Sequence, residues 1–151
     1  MQNLRAILEA AIKIEEQSYA LYTMAQEKVK YSSSKKFLKE LAQEELKHKE
    51  KLLAILENRE KLSELGSQAK VQDLKIVDVM KNTALSEDAD YQRILLYAAK
   101  LEKATYEYYS SLALGLEGTE AGNLFSKLAQ EELTHKNKLE REYDDYVLKE
   151  N

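Results

Sequence analysis

The chain carries the same passage twice. Residues 41–52 read LAQEELKHKEKL, and residues 128–139, at an offset of 87, read LAQEELTHKNKL. The same offset carries Leu8 onto Leu95, Ala11 onto Ala98, Glu15 onto Glu102, Tyr19 onto Tyr106 and Tyr22 onto Tyr109. A repeat in register over two segments of each half means two copies of one supersecondary unit. Each copy holds one of the only two histidines, so the pair supplies four carboxylates and two imidazoles in symmetric positions.

The periodicity inside each copy is helical. Leu4, Leu8, Ala11, Glu15, Tyr19 and Tyr22 recur at spacings of three and four, which predicts a first helix over about 3–30. The run Ser32-Ser33-Ser34 breaks it and offers an N-cap for a second helix over about 34–64. Ser86, followed by Glu87 and Asp88, suits the start of a third, running to about Leu114. Thr119 is the expected cap of a fourth, continuing to about Leu148. The chain has no Pro and only four Gly, and Gly66, Gly115, Gly118 and Gly122 all fall at these proposed boundaries. A sheet protein would need far more turn residues.

The connections give the topology. Helices 1–2 and 3–4 are joined by a few residues, so each pair is an antiparallel hairpin. About twenty residues, 66–86, separate helices 2 and 3, with a short apolar piece at Leu74, Ile76, Val77, Val79 and Met80. A helix of about 28 residues is roughly 42 Å long, and twenty extended residues reach about 66 Å. The link can therefore run the length of the bundle and set helix 3 parallel to helix 2. Two hairpins joined by one long crossover make an all-α, ferritin-like four-helix bundle. At 151 residues the whole chain, 1–151, is expected to be one domain.

Composition removes several classes of function. Without Cys there is no disulfide, no zinc knuckle and no Cys-ligated iron. A net charge of −4 gives no basic face for nucleic acid. The amphipathic, charged start MQNLRAILEAAIKIEE has no signal-peptide core, and no apolar run approaches a membrane span. A soluble, cytoplasmic protein without membrane association is expected.

The repeat then places charge where apolar residues belong. Leu41, Glu45, His48 and Leu52 follow a 4-3-4 spacing on one helix face, as do Leu128, Glu132, His135 and Leu139. Leu8, Glu15 and Tyr22, and Leu95, Glu102 and Tyr109, form seven-residue series on the inward stripes of helices 1 and 3. Unpaired core carboxylates cost several kcal/mol each, and no Lys or Arg lies on these stripes. Two divalent cations would neutralise the four carboxylates, with the imidazoles completing the coordination. Glu-x-x-His alone is a weak motif, and a Glu-rich face is ordinarily a solvated one. The in-register recurrence, with Glu15 and Glu102 at matching places on partner helices, is what favours a pair of metals. Glu16, Glu44 and Glu131 point about 100° away and are expected to be solvated or to stand behind the ligands. Tyr22 and Tyr109 could donate O–H bonds to carboxylates of the site. Tyr19 and Tyr106 lean toward packing.

Glu15 with Tyr22, Glu45-Leu46-Lys47-His48, Glu102 with Tyr109, and Glu132-Leu133-Thr134-His135 resemble the ferritin-like diiron-carboxylate superfamily, and within it the rubrerythrins. The resemblance spans essentially the whole chain. It implies that Glu45 and Glu132 bridge two irons, that Glu15 and Glu102 are terminal ligands, and that His48 and His135 each bind one iron. Two departures stand out. Typical rubrerythrins carry a Cys-ligated rubredoxin-type domain, which a chain without Cys cannot have. They also carry an extra carboxylate one turn after the helix 3 ligand, where this chain has Thr105.

The expected function is a non-haem diiron oxidoreductase. It would reduce hydrogen peroxide, and oxygen more slowly, with electrons from a separate donor protein, and so protect against oxidants. The expected cofactor is two iron ions, with manganese or zinc as other occupants. A homodimer or larger homo-oligomer is the expected assembly. The alternative is a ferroxidase or iron-handling protein that captures ferrous iron, and a weaker third is an oxygenase of an organic or RNA substrate.

Overall fold

Asn3 starts the first helix in an extended conformation, its side chain accepting from the Ala6 N–H at 2.8 Å. The computed structural model describes residues 3–58 and 90–150. In these it holds four helices: α1 (Leu4–Ala25), α2 (Ser32–Glu57), α3 (Tyr91–Gly115) and α4 (Glu120–Glu150). Among the described residues there is no strand, and no helix is long and apolar enough to cross a membrane.

Packing at the two ends of the bundle sets the helix directions. One apolar cluster gathers the start of α1 (Leu4, Ile7, Leu8), the end of α2 (Leu52, Ile55), the end of α3 (Tyr108, Tyr109, Leu112) and the start of α4 (Phe125, Leu128). The other gathers Tyr22 and Ala25 of α1, Leu38 and Leu41 of α2, Tyr91 and Leu95 of α3, and Leu139 of α4. So α2 and α3 run parallel to each other and antiparallel to α1 and α4, in the arrangement expected of two hairpins with a crossover. The link itself, with Gly66, Ser86 and the apolar piece at 74–80, lies outside the described residues. Each helix leaves one cluster, passes its Glu or Glu-x-x-His, and enters the other. The acids are thereby held between two apolar plugs, out of reach of bulk water.

The helix ends differ from the spacing-based expectation in four places, each for a local reason. The serines at 32–34 do not cap α2. They form its first turn, behind an extended Tyr31 that makes no side-chain cap bond. Ser34 is buried and begins the inward stripe Ser34, Leu38, Leu41, Ala42, Glu45, so burial draws the run into the helix. α1 stops at Ala25 and tightens into a 3-10 turn over Gln26–Lys28 instead of continuing to 30. α2 stops at Glu57, before the expected 64. Asn58 turns extended there and caps the helix with its N–H on the Ile55 carbonyl, and the rest of the expected span, 59–64, lies outside the described residues. α3 begins at Tyr91, later than the expected start at Ser86, because Asp90 is extended and caps it by accepting from Arg93 N–H at 2.9 Å.

The α3–α4 turn follows from two glycines. Gly118 sits at φ +86, where a side chain would be strained. Thr119 Oγ1 accepts from Gly122 N–H at 3.0 Å, as a cap should. Gly122 is therefore inside the first turn of α4, not at its boundary. Its lack of a side chain is required, because a Cβ there would lie 2.1 Å from the Leu116 carbonyl oxygen.

Candidate metal centre

The 4-3-4 spacing turns Glu45 and His48 of α2, and Glu132 and His135 of α4, inward between their flanking leucines. Glu15 of α1 and Glu102 of α3 meet them at the same level. All six side chains are 97% buried or more, with His48 the most exposed at 3%. Ligand-type atoms of Glu15, Glu45, His48 and Glu132 lie within 4.8 Å of one another, and so do those of Glu45, Glu102, Glu132 and His135. The two groups overlap in Glu45 and Glu132, and each could hold a metal ion.

The imidazoles are aimed. His48 Nδ1 lies 2.8 Å from Glu132 Oε1, 3.3 Å from Glu45 Oε1 and 3.5 Å from Glu15 Oε2. His135 Nδ1 lies 3.2 Å from Glu45 Oε1 and 3.8 Å from both Glu102 Oε1 and Glu132 Oε2. The two rings stack at 5.8 Å with 12° between their planes. The tyrosines reach across the bundle. Tyr22 OH donates to Glu102 Oε1 at 2.5 Å, and Tyr109 OH donates to Glu15 Oε2 at 2.7 Å. Each holds the carboxylate of the opposite repeat, Glu102 on α3 or Glu15 on α1. Tyr19 is partly exposed and Tyr106 packs against the apolar cluster, away from this chemistry.

The rubrerythrin family model matches residues 6–143, a span that includes every one of these side chains. The chain belongs to the rubrerythrin family. No curated protein and no solved structure gives a significant match.

Rubrerythrins bind a diiron centre, and the donor set of this member fits such a group. Buried and without a hydrogen-bond partner are Glu15 Oε1, both oxygens of Glu45 and of Glu132, Glu102 Oε2 and Nδ1 of both histidines, with Glu131 Oε2 beside the outer edge of His48. Orphaned polar atoms are costly in a core, and here all but the last converge on one small volume. Hard carboxylate oxygens with two imidazole nitrogens suit iron or manganese. Sites of this kind on a bundle core use a Glu from each of two helices and Glu-x-x-His from each of the other two.

Protons fill the balance in the metal-free rubrerythrin site. Burial, reinforced by the charge of Glu45, pushes the Glu15 carboxyl up to about 8. Burial and repulsion from Glu102, Glu45 and Glu15 push Glu132 well above the carboxylate range. Burial also acts to raise Glu45, but its position between His135 and His48 outweighs this and holds it at about 2. For His48 burial favours the neutral ring, yet Glu132, Glu15 and Glu45 around Nδ1 raise it far above the usual imidazole range. His135 behaves in the same way among Glu102, Glu132, Glu44 and Glu45. Converging carboxylates cannot all ionise in a core unless cations, whether imidazolium or metal, share the space.

Two features sharpen the sequence reading, in which Glu44 and Glu131 are solvated or behind the ligands and Thr105 stands where typical rubrerythrins carry a carboxylate. Glu44 and Glu131 each engage a histidine, and it is the histidine of the other repeat. Glu44 Oε2 is hydrogen-bonded to His135 Nε2, and Glu131 Oε2 lies 2.9 Å from His48 Nε2. The doubled acid in both copies of QEEL was the available signal. Glu16, by contrast, pairs with Lys49 at 2.9 Å on the surface. The second feature is Thr105. It is buried, but its hydroxyl donates to Leu101 C=O at 2.9 Å, so the position supplies no ligand.

Proposed function

We propose that the protein is a non-haem diiron oxidoreductase that reduces hydrogen peroxide, and oxygen more slowly, and so contributes to oxidant defence. The observation that carries the reading is the pair of buried Glu/His groups sharing Glu45 and Glu132 in a rubrerythrin-family chain. Glu15 and His48 would hold one iron, Glu102 and His135 the other, with Glu45 and Glu132 common to both. When bound, two ferrous ions supply one electron each, the two needed to cleave one peroxide O–O bond to the level of water. Tyr22 and Tyr109, whose hydroxyls burial and the neighbouring Glu102 and Glu15 keep protonated, hold the terminal carboxylates in place. A groove of about 330 Å³ between α2 and α4 is lined by His48 and His135 and is the side from which a small oxidant would approach. Its wall is built from offset-matched pairs, Glu44 with Glu131, His48 with His135 and Lys51 with Lys138.

These 151 residues contain no Cys and so no Cys-ligated iron to feed the site, and in this reading a separate donor protein supplies the re-reducing electrons. Thr105 brings no carboxylate to the site, so turnover is expected to be modest, and Thr105→Glu should change the rate. Stopped-flow mixing of anaerobic diferrous protein with peroxide or oxygen tests the reading, together with iron content per chain. Faster reaction with peroxide at two irons per chain supports it. Faster reaction with oxygen, with iron accumulating well beyond two per chain, would make it an iron-handling protein instead.

A further inference from the structure

The geometry points to Glu44 and Glu131 as crossed positioning residues: each carboxylate turns the histidine of the opposite repeat so that its Nδ1 faces the metal centre. This inference rests on the diiron reading. An imidazole in a core slot can rotate about its ring bond and present either nitrogen. Here both rings present Nδ1 inward, toward the carboxylates of Glu45 and Glu132, and Nε2 outward. Outward, each Nε2 meets one acid, Glu44 for His135 and Glu131 for His48. Both acids stand in the α2–α4 groove with side chains 43% and 38% exposed, against 2% and 3% for the histidines they face.

Such a pair works by charge and direction. A carboxylate that accepts from Nε2–H holds the proton on that nitrogen, leaving the Nδ1 lone pair for the metal and making it a better donor. The helix spacing explains the crossing. Glu44 is one residue before Glu45 and so lies about 100° round α2, turned toward α4 and not toward the His48 of its own helix. Glu131 is turned toward α2 in the same way. Each half of the centre thus takes its metal-facing ring from one repeat and the orientation of that ring from the other. The two pairs are unequal: the Glu44–His135 contact is a hydrogen bond, whereas Glu131 Oε2 is close to His48 Nε2 without hydrogen-bond geometry. The Glu44 variant should therefore show the larger effect.

Zinc(II) is a diamagnetic probe that permits a direct test, because a chain with two histidines yields only two imidazole spin systems in a ¹⁵N NMR spectrum. In the zinc-loaded protein both rings should be bound through Nδ1 with Nε2 protonated. Glu44→Ala should shift the His135 nitrogens only and weaken one of two zinc-binding events by roughly 10- to 100-fold in calorimetry. Glu131→Ala should do the same at His48, to a lesser degree. Glu44→Gln retains an acceptor for Nε2–H and should recover part of the loss, which a merely structural role would not predict. The far-ultraviolet circular dichroism spectra of the metal-free variants should match that of the parent, which separates loss of affinity from loss of fold. Two zinc ions bound through Nδ1, with affinities and imidazole shifts unchanged in both Ala variants, would overturn the positioning role alone. A parent protein whose histidines bind no zinc would overturn the metal centre itself.

Discussion

Raising the pH should destabilise the metal-free protein over the range in which most proteins are steady. Glu15 ordinarily ionises near 4.5 but holds its proton in the fold up to about 8. Between these values the folded chain carries a proton that the unfolded chain has released. Stability then falls as pH rises, by about 1.4 kcal/mol per unit for one full proton. From 4.5 to 8 this amounts to at most about 5 kcal/mol from Glu15 alone, against a total of about 5–15 kcal/mol for a typical domain. Glu132, also raised, acts in the same direction. His48 and His135 are raised as well, so their contribution is complete below the ordinary imidazole value of 6.5 and declines above it. Glu45, held at about 2, contributes stability that is lost only as pH falls below 4.5, outside this window. Urea unfolding of chelator-treated protein at pH 5, 6, 7 and 8, followed by far-ultraviolet circular dichroism, measures the slope. Glu15→Gln, which removes the titrating group, should flatten it. Stability that is level or rises from pH 5 to 8 would refute the proton inventory proposed for the site.

Metal uptake should displace those same protons, so a lightly buffered solution should acidify on titration with ferrous iron, and affinity should climb with pH. Two metals per chain are expected, with Glu45→Ala or Glu132→Ala losing both and His48→Ala weakening one more than the other; atomic absorption after dialysis checks this. Gly122→Ala should cost roughly 1–3 kcal/mol, because its Cβ must move away from the Leu116 carbonyl now 2.1 Å from that position; thermal melting reads the loss. Tyr22→Phe and Tyr109→Phe should each cost about 1–3 kcal/mol in the metal-free protein by leaving a buried carboxylate oxygen unpaired, again by melting.

Much of this molecule is legible in one dimension because helix periodicity is a local property. Spacings of three and four put Glu45 with His48, and Glu132 with His135, on inward faces whatever the rest of the chain does, and the repeat tells that Glu15 and Glu102 are equivalent. Helix number and the hairpin pairing follow from the lengths between breaks. What crosses from one helix to another is not local. That Tyr22 serves Glu102 and Tyr109 serves Glu15 depends on the axial register of α1 against α3. That Glu44 finds His135, and Glu131 finds His48, depends on the rotation of α2 against α4. These offsets are settled by how two apolar clusters, one at each end, pack simultaneously, and no single helix contains that information. The same holds for Ser34, drawn into α2 by burial, and for Gly122, which is required by a carbonyl six residues earlier in the chain. A sequence specifies which face a residue takes; only the packed bundle decides whom it meets there.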